Sequence, residues 1–145
     1  MERMNAQDVE KFQKALNAAA DSLEKSVENL ADICVKIFPV GKKTQVANIE
    51  QIALAAQRLG DIDAFFMRQT GKDQKKENWA RRVDEGECFG SKLLSLTKKV
   101  KESADAASSK AEMSEYKNEM RLKLAAVCLR NMHSCYLYKL NMRKG

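Results

Sequence analysis

The chain of 145 residues is 44% hydrophobic and 32% charged, with one proline, six glycines and nine aromatic residues. That is the composition of a long-helix protein with a core of its own, and it excludes a sheet-rich or disordered chain. Four cysteines without close pairing exclude a small disulfide scaffold. The formal charge of +6 is uneven, with five basic and seven acidic groups over residues 1–38 but seven and three over residues 111–145.

These features lead us to expect one all-α domain over residues 1–145. The opening MERMNAQDVEKF has no apolar signal core, and the longest apolar run, Leu124 to Leu129, is too short to span a bilayer. Neither secretion nor a membrane span is expected; reduced thiols in the cytoplasm or nucleus fit best.

Val9, Leu16, Leu23, Leu30 and Ile37 recur every seven residues, with Phe12, Ala19 and Ile33 at the complementary position and Ser26 as a polar interruption. That heptad seam predicts a helix over about residues 5–38, about 45–50 Å long. Pro39 should end it. The segment GKKT, Gly41 to Thr44, has the look of the end of a phosphate loop but lacks the upstream glycine and a preceding strand, so a solvated turn is expected.

A second helix is predicted over about residues 44–70, with Ile49, Ile52, Ala56, Leu59 and Phe66 on one face. After a basic turn, Trp79, Gly86, Leu93 and Val100 again fall every seven residues, with Phe89 and Leu96 beside them. A third helix follows over about residues 75–106, with a kink or split at Gly86 and Gly90. Ser109 and Glu112 match a capping box, so the fourth helix is set at about residues 109–141. Four helices with short connections predict an elongated up-down bundle.

Cys128, His133 and Cys135 surround the only histidine, yet helical geometry spreads them around the barrel and places the two thiols about 10 Å apart. No metal and no cofactor is expected there. General acid-base or nucleophilic catalysis needs a base oriented beside its partner, and no motif supplies one, so a non-enzymatic protein is expected.

The fourth helix carries two apolar stripes, one of Leu124, Val127, Cys128, Cys135 and Tyr138, the other of Leu122, Ala126, Leu129, Tyr136 and Leu140. A helix apolar nearly all round is central in a large core or shared with another chain. The latter reading makes the protein a scaffold, adaptor or complex subunit, a homo- or hetero-oligomer built by helix-helix packing. Its partner contacts are then Leu122, Leu129, His133, Tyr136, Leu137 and Leu140, with Trp79, Arg81 and Arg82 second. The alternative is a basic, dimeric nucleic-acid-binding protein using phosphate contacts from Lys42, Lys43, Lys75, Lys76, Lys98, Lys99, Arg143 and Lys144.

Overall fold

The computed structural model describes residues 4–144, and side chains through residue 142. Asn5 opens α1 (Ala6–Ser22), its side-chain oxygen accepting the Asp8 amide at 2.8 Å. Near residue 22 the helix is interrupted. The Ser22 hydroxyl donates back to the Ala19 carbonyl, and Leu23 adopts φ −102°, ψ 0° before α2 (Glu24–Ile37) resumes. The expected single helix is therefore two.

The seam survives this interruption, with Phe12, Leu16, Ala19, Leu23, Val27, Leu30 and Ile37 buried and Ile33 half-buried. Only Val9 leaves it, 53% exposed. Its cover is internal: α1 and α2 both pack on α5 (Phe89–Lys110) and α6 (Lys117–Lys144).

A 3-10 turn, Val40–Lys42, leads into α3 (Lys43–Ala55), and α4 spans Leu59–Lys72. The expected second helix breaks between them because Ala56 takes an extended conformation (φ −67°, ψ 143°). Asp61 then accepts the amides of Gln57 and Arg58, capping the start of α4 from within its first turn.

The largest departure from the expected helices lies over residues 73–88, which are loop and hairpin. β1 (Arg82–Asp84) pairs antiparallel with β2 (Glu87–Cys88), turning through Gly86 at φ +80°, a left-handed backbone that suits glycine. The heptad spacing of Trp79 and Gly86 was coincidental; the true helical face begins at Phe89 and continues through Leu93, Leu96 and Val100, all buried.

Trp79 still reaches the core, from a loop. Its ring centroid lies 5.4 Å from Phe89, 5.7 Å from Phe65, 6.0 Å from Phe66 and 6.4 Å from Phe38. Its Nε1 donates to Gln45 Oε1 at 3.4 Å. One aromatic cluster thus joins the end cap of α2, α4, the loop and α5.

Gly90 is a packing notch against α4. A Cβ there would lie 1.8 Å from Thr70 Oγ1 and 3.0 Å from Thr70 Cβ, so turning the hydroxyl aside would not clear it. Gly90→Ala is expected to lower stability by about 1–3 kcal/mol through overpacking. Thermal unfolding measures the loss, and Thr70→Gly in the same chain should recover part of it.

Ser109 and Glu112 close a helix instead of opening one. Glu112 takes φ +58°, its amide donates to the Ser109 carbonyl, and the Met113 amide reaches the Ser108 carbonyl at 2.7 Å. This is a Schellman ending of α5, with Met113 buried after it. A second 3-10 turn, Ser114–Tyr116, then leads into α6.

Among the described residues there are thus six α-helices and a two-stranded hairpin, where four helices were expected. The chain is mainly helical, and none of these helices is long and apolar enough to cross a membrane. All the other α-helices pack on α6. Polar ties hold it on three sides: Arg121 to Asp105 of α5, His133 to Glu50 of α3, and Lys139 to Glu28 and Asp32 of α2.

Candidate interaction surface

The central position of α6 accounts for its two apolar stripes. Leu124, Cys128, Leu129, Met132 and Tyr136 are buried, and Leu122, Ala126, Val127 and Leu140 are half-buried. Tyr136 is fully enclosed and donates its hydroxyl to the Phe38 carbonyl. Leu129, Tyr136 and Trp79 are therefore core residues, and the folded chain does not offer them to a partner.

His133 Nδ1 lies 3.1 Å from Glu50 Oε1, with both side chains about one-fifth exposed. A carboxylate can only accept, so Nδ1 carries the proton and the pair fastens α3 to α6. Sequence spacing could not show an acid 83 positions away.

The thiols are similarly absorbed. All four cysteines are free; burial pushes Cys34 well up, Cys128 up to about 12, and Cys135 up as well, which disfavours the thiolate at these three. Cys128 and Cys135 line a groove of about 280 Å³ between α1, α2 and α6, beside Asp21, Glu24 and Glu28. No group of three or more His, Cys, Asp or Glu side chains is placed to hold a metal ion among the described residues.

Several of the expected contacts that stay accessible gather around residues 39–43. Pro39 stops α2, and the chain forms a ridge before entering α3. On one side an open cleft of about 510 Å³ is bordered by Lys36, Pro39, Lys42, Lys76, Glu77 and Arg81. On the other lies a shallow hollow of about 200 Å³ formed by Val40, Lys43, Leu137, Leu140 and Asn141. Val40 is 37% and Leu137 41% exposed, less than Val9 at 53% or Leu54 at 63%, but these two lie together in one hollow.

The loop over residues 73–81 builds the far wall of the cleft, and Asp73 organises it. Its carboxylate accepts the amides of Glu77, Asn78 and Ala80. Burial opposes the charged form, but these bonds and the nearby Lys42 outweigh it and hold the carboxyl below its ordinary value. The turn places Lys76 at φ +55°, where it borders both this cleft and a second one beside Arg82.

Asp73→Ala is expected to cost about 1–3 kcal/mol near neutral pH, from the amides it strands. Because the folded pKa is depressed, this stabilisation is present above about 3.9, the unfolded value, and is lost as pH falls through the folded one. Urea unfolding of both forms should show the difference between them narrowing on the acid side of that value.

Two polar contacts position the cations. Arg81 Nη1 donates to the Lys36 carbonyl at 3.4 Å, and Lys42 Nζ to Asn78 Oδ1 at 3.3 Å. Of the expected anion contacts, Lys42 and Lys76 meet in the cleft, while Lys43 borders the hollow on the other side. Lys75 is exposed and borders neither. Lys98 and Lys99 belong to α5, Lys99 donating to Ser26 Oγ. The side chains of Arg143 and Lys144 lie outside the described residues.

Of the expected partner contacts, Leu137 and Leu140 meet in the hollow and Arg81 in the cleft, whereas Arg82 turns to the neighbouring cleft. Lys36, Val40 and Asp73 were missed. The signal for two of them was present in KIFPVGKK, where cations stand on both sides of a helix-stopping proline.

No protein-family model matches the chain. No curated protein and no solved structure matches it either.

Proposed function

We propose that the chain is a non-enzymatic, intracellular interaction module, a scaffold, adaptor or complex subunit, that holds a protein partner across the ridge of residues 39–43. The observation supporting this reading is the pairing of a cationic cleft and a mixed hollow holding Val40, Leu137 and Leu140 on the two sides of one short segment. Interfaces commonly combine an apolar anchor with charged surroundings that set specificity. In this reading α1 with α2, and α3 with α4, are interrupted legs of a four-legged up-down bundle that serves as the rigid support.

The test is affinity capture from the native cell with the wild-type chain, Leu137→Glu and Arg81→Glu, each first shown to keep its helical content. A partner held by the wild type and released by both variants supports the ridge. A partner retained by both variants, or none recovered with the wild type, overturns it.

The second reading, nucleic-acid binding by phosphate contacts, is favoured by the same cleft, which brings Lys36, Lys42, Lys76 and Arg81 together. It requires affinity that falls steeply with salt and is indifferent to Leu137. No binding at low salt would remove it.

A further inference from the structure

We infer that the ligand of the ridge is an acidic peptide segment with an aliphatic anchor, its carboxylates received by the cleft and its apolar side chain by the Val40, Leu137 and Leu140 hollow. This rests on the reading of the ridge as a docking surface and specifies what docks there.

Charge is the first argument. The cleft sets four cations, Lys36, Lys42, Lys76 and Arg81, against one bordering carboxylate, Glu77. None of these four cations is in a salt bridge among the described residues, whereas Arg58, Lys92, Arg121 and Lys139 each are. The other nearby acid, Asp73, stays ionised with its oxygens engaged by loop amides, so four cations stand against two carboxylates and a positive excess remains. Arg81 and Lys42 are oriented by a carbonyl and an amide oxygen, which steer a cation without neutralising it. Such a site retains charge for an incoming anion.

Geometry is the second. Pro39 and Lys42 border the cleft while Val40 and Lys43 border the hollow, so the two are separated by one backbone segment. An extended ligand advances about 3.3 Å per residue, so a short peptide suits a surface divided by one backbone segment. The mixed surface also selects between anions. A nucleic acid would leave the hollow empty and would want an aromatic platform for its bases. No aromatic side chain borders the cleft or the hollow, and Trp79 is enclosed in the core.

Fluorescence anisotropy with labelled synthetic ligands tests the inference. The probes are a peptide with a glutamate run followed by a leucine pair, the same peptide with serines for the leucines, a lysine-for-glutamate counterpart, and a single-stranded RNA of equal charge. The first should bind, the serine peptide about fivefold to tenfold more weakly, and the lysine peptide not at all. Arg81→Glu combined with Lys76→Glu should weaken the first by about tenfold or more, and Leu137→Ser should remove the advantage of leucine over serine.

Lys42→Glu serves as a second charge variant should Arg81→Glu disturb the loop. Failure of the acidic peptide to bind at low salt, indifference to the charge variants, or tighter binding of the RNA would each overturn the inference. If the peptide fails while native-cell capture still depends on Leu137 and Arg81, the ridge stands as the docking surface and only the ligand class falls.

Discussion

Replacing Trp79 with alanine lowers the stability of the chain by about 3–5 kcal/mol, as measured by urea or thermal unfolding. The indole is 3% exposed and packs on four phenylalanines, Phe38 just after α2, two from α4 and one from α5. The residue sits on a loop with little regular hydrogen bonding of its own, so no helix spreads the loss over neighbouring turns. The same loop carries Lys76 and Arg81 into the cleft. Trp79→Ala should therefore weaken ligand binding as well as the fold, whereas Trp79→Phe, which keeps a ring in the cluster, should lose less of both. A Trp79→Ala chain as stable as the wild type would mean that the aromatic cluster does not hold the loop.

The second large effect contrasts two leucines of α6. Leu129 is 1% exposed and Leu137 is 41% exposed. Leu129→Glu buries a carboxylate without a partner and is expected to cost about 3–5 kcal/mol, enough to unfold a domain of ordinary stability. Leu137→Glu should change stability by no more than about 0.5 kcal/mol. Circular dichroism melts of the two variants measure this directly. Equal and small losses would return Leu129 to the surface and revive the idea of a helix shared between chains; equal and large losses would remove Leu137 as an accessible anchor.

That contrast shows where one-dimensional pattern stops being informative. The heptad seam of α1 and α2 was readable because burial follows the same face through Leu16, Leu23, Leu30 and Ile37, even though Ser22 and Leu23 interrupt the helix. Periodicity failed at Trp79 and Gly86, where heptad spacing coincided with a loop whose conformation is set by a side chain, Asp73, binding three backbone amides. It failed again at Ser109 and Glu112, whose spacing fits a helix start but whose backbone makes a helix end.

The double apolar stripe of α6 was seen correctly, but its cause was a matter of topology. A central helix and a shared helix have the same sequence signature, and only the packing of all the other α-helices on α6 separates them. The cleft was invisible for a related reason. Lys36, Lys42, Lys76 and Arg81 come from the end of α2, the 3-10 turn and a distant loop, and each by itself is an ordinary surface charge.

The place of α6 in the chain bears on how the protein comes to be folded in a cell. Synthesis runs from the N-terminus, so α1 to α5 leave the ribosome before the helix on which all of them dock. The bond from Tyr136 to the Phe38 carbonyl joins positions 98 apart, and it can form only after α6 has been made as far as residue 136. Until then the seam of α1 and α2 lacks its main cover and is open to chaperones or to a neighbouring nascent chain. A ribosome stalled before residue 117 should accordingly hold a chain that is helical in places but readily digested by protease, because α6 has not been made.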